Sequence, residues 1–111
     1  RELVANARAA GDTRAVLAAV PYAQFMGIGV EAIAGERLTR MRYSPMLIGN
    51  PSLPAIHGGT IGALLECAAI FELLWNVEVR SLPRIVNISV DYLRSGRPED
   101  VWARAELTRQ G

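Results

Sequence analysis

The sequence predicts an α+β fold in which a curved antiparallel sheet surrounds one buried helix. Residues 58–75 are predicted to form a helix that is apolar on almost every side, which is typical of a protein interior. Two pairs of strand-like segments flank this helix along the chain. In a chain of 111 residues, a central buried helix has to be covered by a sheet that wraps around it.

The N-terminal part of the chain is predicted to be helical. An apolar stripe predicts an amphipathic helix over residues 2–20, and Pro21 permits a new helical turn that runs to Met26. Gly27 ends that turn. We therefore divide the chain into an N-terminal helical segment, residues 1–24, and one main domain, residues 25–111.

Alternating segments predict two strands on each side of the apolar helix. Residues 30–34 and 37–43 form the first pair, and the sequence leaves open which side of the second strand faces the core. A loop rich in proline and glycine covers residues 44–56. Residues 84–94 and 101–108 form the second pair. Gln110 and Gly111 resemble the entry to another hairpin turn.

The composition limits the classes of partner. The net charge of +1 gives no argument for binding nucleic acid, and we expect that no apolar run reaches the length needed to span a membrane. With one cysteine the chain cannot form an internal disulfide, which favours a cytoplasmic location. Because there is also only one histidine, we expect no metal site.

The motif with the clearest chemistry lies at the start of the apolar helix. His57, Gly58 and Gly59 precede it, and Glu66 follows nine residues after the histidine. Glycine lets the backbone approach a ligand closely, and the unpaired N–H groups of a helix start bind anions or a developing oxyanion. A carboxylate in an apolar helix needs a reason, because burying it unpaired is costly. The alternative for Glu66 is structural: it reaches the surface or pairs with an arginine.

This motif resembles the hotdog-fold acyl-CoA thioesterases of the phenylacetate-degradation (PaaI-like) type, whose signature is His-Gly-Gly with an acidic residue nine positions after the histidine. The run 86–94, which ends in Tyr92-Leu93-Arg94, is similar to a long strand of that family. The resemblance extends from about Phe25 to Gly111. Because a hotdog domain would have one or two further strands, the resemblance also implies that this domain is incomplete at its C-terminus. Ile85 departs from the family, which often has Ser or Thr at that position.

The resemblance implies hydrolysis of an acyl-CoA thioester and assigns roles to four residues of the motif. The Glu66 carboxylate would attack the thioester or activate a water molecule. The backbone N–H of Gly58 would stabilise the oxyanion, with Gly59 close to the substrate. His57 is expected to orient or fix the loop. The alternative for the two glycines is a simple hinge between loop and helix.

Other residues have weaker support. The family often has an Asn six residues before its histidine, positioned to orient water or the carbonyl, whereas Asn50 stands seven before His57. An ordinary turn residue is the alternative for Asn50. Arg84 and Arg94 are candidates for the CoA phosphates, with solvated surface arginines as the alternative. No cofactor is implied, since CoA enters as part of the substrate. The resemblance also implies a homodimer or homotetramer with its active sites at the subunit interface.

Two further functions remain open at this stage. A hotdog protein of this kind can bind acyl-CoA without turning it over, and only Glu66 favours the enzyme. An enoyl-CoA hydratase or dehydratase would need a histidine as one half of an acid–base pair, and the one histidine lies in the His-Gly-Gly turn. The acyl chain that the enzyme accepts does not follow from the sequence.

Overall fold

A computed structural model describes residue 17, residues 20–76 and residues 83–108. The helices and strands, in chain order, are α1 (Pro21–Phe25), β1 (Ile28–Ile33), β2 (Glu36–Met41), a short 3-10 turn (Pro45–Leu47), β3 (Ile48–Asn50), β4 (Ala55–Ile56), α2 (Gly58–Asn76) and β5 (Val101–Ala103). The predicted helical turn after Pro21 is confirmed by α1. The predicted helix over residues 2–20 lies almost entirely outside the described residues, although Leu17 is helical.

The predicted hairpin around Gly35 is confirmed. β1 and β2 pair in antiparallel register from Ile28 opposite Met41 to Ile33 opposite Glu36. Ala34 and Gly35 have φ angles of 52° and 82°. Two consecutive positive φ angles match the right-handed twist of the flanking strands, and the glycine adopts its angle without steric cost.

The strands β1, β2 and β5 form a three-stranded sheet in the order β1-β2-β5. Helix α2 packs against this sheet, and the hydrophobic core lies between them. The buried side of α2 has helical spacing and consists of Leu64, Cys67, Ala68, Phe71 and Leu74. The sequence left open which side of β2 faces the core. Because Thr39 and Met41 are buried, the core-facing side is the one that bears residues 37, 39 and 41. Met41 is fully enclosed, at 0% exposure.

The opposite side of α2 is only partly covered. The predicted antiparallel sheet with a central helix is confirmed, but Leu65 is 39% exposed and Ala69 is also exposed, so one side of the helix is not covered within one chain. The nineteen residues of α2, with mean hydropathy 1.4, are long and apolar enough to cross a membrane. That finding corrects the expectation that no run is long enough. Because one side of α2 packs on the sheet, we interpret it as the core helix of the domain.

The predicted long strand over residues 84–94 is wrong for this chain. All of residues 83–100 are described, and none belongs to a strand. Val86 is fully exposed and Ile88 is 50% exposed. A strand needs a neighbour that pairs its backbone N–H and C=O groups, and the sheet order β1-β2-β5 places no described strand beside this segment.

Two other segments match their predictions in part. Residues 44–56 form more than a loop, because they contain the 3-10 turn and a two-stranded sheet of β3 and β4. The predicted strand over 101–108 is present only as β5, which pairs with β2 from Val101 to Ala103. The ladder ends there, although the Arg104 side chain still reaches Glu36, with Nη1 and Oε1 3.4 Å apart.

Candidate active site

The loop before α2 is held by backbone hydrogen bonds from two directions. The His57 N–H donates to the Leu47 carbonyl at 2.8 Å, and the Ile56 N–H donates to the Gly96 carbonyl at 2.9 Å. Gly49 allows this arrangement, because a Cβ atom at that position would lie 2.8 Å from the Cα of His57. The start of the helix is therefore fixed by contacts that are distant in sequence.

His57 caps the helix. Its side-chain Nδ1 accepts a hydrogen bond from the Gly59 N–H at 2.9 Å, which requires an unprotonated Nδ1. Its carbonyl accepts from the N–H groups of Thr60 and Ile61 at 3.0 and 3.2 Å. Capping groups of this kind satisfy the N–H groups that a helix start leaves without an intrahelical partner.

Within the part of the chain that the structure describes, Gly58 provides the one N–H donor of this first turn that has no acceptor. The N–H groups of residues 59, 60 and 61 all donate to His57, whereas no described residue accepts from the Gly58 N–H. The first N–H groups of a helix also carry the positive end of its dipole. The helix start thus offers a single backbone donor in a favourable field to an incoming anion or polarised carbonyl.

Tyr92 covers the same turn, and the sequence did not single it out as a site residue. Its hydroxyl donates a hydrogen bond to the Gly58 carbonyl at 2.7 Å. A Cβ atom at Gly58 would lie 3.4 Å from the Tyr92 ring, and one at Gly62 would lie 3.3 Å from its hydroxyl oxygen. The only sequence signal for this contact is the pair of glycines four residues apart on one helix face.

Glu66 is half-buried on α2, and its carboxylate has no hydrogen-bond or ion-pair partner among the described residues. Its neighbour Cys67 is a buried free thiol. Burial raises the pKa of Cys67, and the negative charge of Glu66 raises it further.

The arginines of the sheet pair with other carboxylates. The Arg37 Nη2 lies 3.2 Å from the Glu72 Oε1. The Arg40 Nη1 lies 2.8 Å from the Glu31 Oε1, and its Nε lies 3.1 Å from the Asp100 Oδ2. The backbone N–H of Tyr43 donates a hydrogen bond to the Asp100 Oδ1 at 2.7 Å. This bond is the main reason that the pKa of Asp100 is lowered, and Arg40 makes a smaller contribution. The alternative in which an arginine neutralises Glu66 has no support among these residues.

Among the described residues, the side chains of Asn50 and of the two candidate arginines form no hydrogen bond with the first turn of α2. The Asn50 side-chain oxygen accepts from the Ser52 N–H at 3.0 Å, which closes a turn within the loop. Arg84 and Arg94 are both exposed. Arg94 lines an open surface cleft of about 490 Å³. The rest of that cleft is formed by Ser95, Gly96, Arg97, Glu99, Asp100, Val101 and Trp102.

One residue of the cleft wall, Gly96, packs beside the first turn of α2. A Cβ atom on Gly96 would lie 3.3 Å from the Ile56 Cβ and 3.4 Å from the Ile61 Cδ1. Tyr92 and Gly96, four residues apart, thus bring one segment past the helix start and into the cleft wall. Across the described ranges, no three His, Cys, Asp or Glu side chains are grouped in a way that would hold a metal ion.

Comparison with known proteins gives consistent matches of three kinds: a family, curated relatives and a solved structure. Residues 53–111 match the thioesterase superfamily. The chain is 30% identical to the medium/long-chain acyl-CoA thioesterase YigI of Escherichia coli K12, over 83% of this chain and 68% of that protein, and it matches the Shigella flexneri protein of the same name equally well. The crystal structure of a Chromobacterium violaceum protein aligns with a TM-score of 0.73 and 35% identity, over 100% of this chain and 76% of that one.

Proposed function

The chain belongs to the thioesterase superfamily of hotdog proteins, and on this premise we propose that it hydrolyses acyl-CoA thioesters to a free acid and CoA. The observation that carries the proposal is the unused Gly58 N–H at a helix start whose neighbouring donors are all satisfied. This donor suits the oxygen of a thioester carbonyl, on which negative charge develops during attack. A cytoplasmic location belongs to the same proposal and agrees with the single free thiol.

The chemistry needs one oxyanion donor and one carboxylate. The thioester oxygen accepts from the Gly58 N–H, and the helix dipole stabilises the charge that forms there. The Glu66 carboxylate then follows one of two routes. It adds to the carbonyl carbon and expels the CoA thiolate, leaving a mixed anhydride that water cleaves. Alternatively it takes a proton from a water molecule whose oxygen adds to the carbon. In both routes the CoA sulfur leaves with the electron pair of the C–S bond and is protonated.

The function is tested by a hydrolysis assay on short, medium, long and aryl acyl-CoAs. Release of CoA is followed by its free thiol, and medium and long chains are included because the Escherichia coli relative is named for them. We expect catalytic turnover of at least one substrate. Stoichiometric binding without turnover would favour the non-catalytic alternative. Consumption of an enoyl-CoA double bond would favour the hydratase.

Geometry supports an active site shared between two chains. Gly58 and Glu66 are eight residues apart on α2, which places their backbones about 12 Å apart at about 1.5 Å of rise per residue. The N–H groups of a helix point toward its N-terminal end, so an oxygen bound to Gly58 lies beyond the helix and farther still from Glu66. A nucleophile has to approach within roughly 3.5 Å of the carbonyl carbon. Glu66 of a second copy meets this condition more readily than Glu66 of the same chain.

We therefore expect a homodimer or homotetramer whose inactive variants complement each other. Glu66→Gln and Gly58→Pro proteins should each be inactive, and mixing them with subunit exchange should return up to half of the normal activity per dimer. The heterodimer would contain one site with both residues intact. Activity is measured before and after exchange, with two differently tagged Glu66→Gln proteins as the mixing control.

Two results would contradict the shared site. No recovery despite demonstrated exchange would place both groups in one chain. A monomer by light scattering that still hydrolyses the substrate would do the same. The half-covered side of α2, where Leu65 is 39% exposed, is consistent with burial by a second copy.

The CoA phosphates are assigned, in this proposal, to Arg94 and Arg84. Arg94 and Arg97 line the cleft whose wall residue Gly96 packs beside the first turn of α2. Guanidinium groups bind phosphate oxygens through two parallel hydrogen bonds. Gly59 lies next to the oxyanion donor, where the thioester end of the substrate passes. For Asn50 we keep the expected role of orienting water or the carbonyl as a prediction; in the structure its side-chain oxygen closes a turn.

Arg94→Ala is expected to raise the KM for an acyl-CoA about fivefold to tenfold, since one exposed charged contact contributes modestly. The KM for the same acyl group on N-acetylcysteamine, which lacks the nucleotide, should not change. Arg104→Ala is the matched control, because it removes the same charge from a residue that pairs with Glu36 on the sheet. An equal change for both substrates would rule out a role for Arg94 in phosphate binding.

A further inference from the structure

The peptide group between Gly58 and Gly59 is held at both ends. Its carbonyl accepts from the Tyr92 hydroxyl at 2.7 Å, and its N–H donates to the His57 Nδ1 at 2.9 Å. The preceding peptide group is also held, because the His57 carbonyl accepts from the N–H groups of Thr60 and Ile61. Both peptide planes that flank Gly58 are therefore fixed.

We infer that Tyr92 is a positioning residue for the proposed oxyanion donor. Glycine has the greatest backbone freedom of any residue, so a donor carried by Gly58 needs outside restraint to keep its direction. His57 supplies this restraint from within the motif, and Tyr92 supplies it from a segment 34 residues away. Hydrogen bonds in a chain also strengthen one another, so the bond from Tyr92 strengthens the Gly59 N–H as a donor to His57. This inference rests on the proposed function of Gly58.

Gly62 gives independent support, because the lack of a side chain at this position leaves space on α2 for the Tyr92 hydroxyl. Glycine inside a helix is unfavourable relative to alanine, and Gly62 lies in the second turn of α2. A Cβ atom there would lie 3.3 Å from the Tyr92 hydroxyl oxygen. Gly58 is the other glycine of the same face, with the Tyr92 ring 3.4 Å from the place of its Cβ. At Gly58 that spacing is an ordinary contact, so it is Gly62 that leaves room for the tyrosine hydroxyl, at a cost to the stability of the helix.

The inference predicts a selective loss of turnover in Tyr92→Phe. Removing one hydroxyl hydrogen bond should lower kcat about fivefold to tenfold with little change in KM, because the substrate is bound as before but the donor is less well directed. Tyr22→Phe is the matched control. Tyr22 is 61% exposed and its ring stacks on Phe25, so this variant should keep the wild-type kcat.

Gly62→Ala separates positioning from a structural role. Alanine should raise the melting temperature or leave it unchanged, because it is the better helix former. It should nevertheless lower kcat, since its Cβ displaces the Tyr92 hydroxyl. A residue that only supports the fold would give activity that follows stability. A Gly62→Ala protein with normal turnover, or a Tyr92→Phe protein with normal kcat, would overturn the inference.

Amide hydrogen exchange makes the inference testable apart from catalysis. The Gly59 N–H should exchange faster in Tyr92→Phe than in the wild-type protein and at the wild-type rate in Tyr22→Phe. If the wild-type protein hydrolyses no acyl-CoA, the proposed function fails, and the exchange rate alone decides the role of Tyr92. An unchanged Gly59 exchange rate in Tyr92→Phe would overturn that role.

Discussion

Glu66→Gln is expected to lower kcat at least about a hundredfold, the loss that follows removal of a general base. Glutamine keeps the size of the side chain and its ability to form hydrogen bonds but cannot act as a nucleophile or base at neutral pH. The fold should remain intact, because no described residue depends on the Glu66 carboxylate for a hydrogen bond. Steady-state kinetics and the melting temperature of the same samples test both parts of this expectation.

Glu72→Gln is the matched control on the same helix. Glu72 accepts hydrogen bonds from Arg37 and Asn76. Its removal should therefore reduce stability by up to about 1 kcal/mol, a typical value for a partly exposed pair, and leave kcat unchanged. Wild-type kcat in a folded Glu66→Gln protein would reject Glu66 as the catalytic carboxylate. Equal losses in both variants would indicate that charge on the helix matters in general.

Glu66→Gln should also change the pKa of the neighbouring Cys67 thiol. The Glu66 charge contributes to the raised pKa of that thiol, after the larger effect of burial. Removing the charge should therefore lower the Cys67 pKa toward its ordinary value while burial keeps it raised. This shift reports on Glu66 in a folded protein that has lost its activity.

Local features of the fold were predictable from the sequence, and features that depend on distant partners were not. Helix α2 and the hairpin of β1 and β2 follow from periodicity and from Gly35, both of which are local. The inward side of β2, which carries the buried Thr39 and Met41, depends on the packing of α2 against this strand. The segment 84–94 alternates like a strand, yet a strand exists only where a neighbour pairs with its backbone.

The candidate site divides in the same way. His57, Gly58 and Glu66 share one motif, so their spacing was visible in the sequence. The capping bond from Gly59 to His57 spans two residues and is equally local. Tyr92 reaches Gly58 across 34 residues, and no local pattern encodes that contact. Asn50 makes a local contact instead. Its side-chain oxygen accepts from the N–H of Ser52, two residues later, as its position in a segment rich in proline and glycine suggests.

Gly58→Pro is expected to lower kcat about a hundredfold to a thousandfold. Proline has no N–H, and the loss of one oxyanion donor typically costs about 3 kcal/mol in transition-state stabilisation. The fold should survive, because proline is favoured in the first position of a helix and the Gly58 N–H donates to no described acceptor. The restriction that proline places on the preceding residue suits His57, since a capping residue normally has an extended backbone.

Gly58→Ala is the control that isolates the N–H group. Alanine keeps the donor and places its Cβ where that of proline would lie, 3.4 Å from the Tyr92 ring, so both variants make the same new contact. It should retain most of the activity. Gly59→Ala is less suitable, because its Cβ would lie 3.1 Å from the His57 Nδ1 and would disturb the cap. If folded Gly58→Pro and Gly58→Ala proteins have equal kcat values, the oxyanion donor lies elsewhere. If only the proline variant loses activity, the missing N–H is the cause.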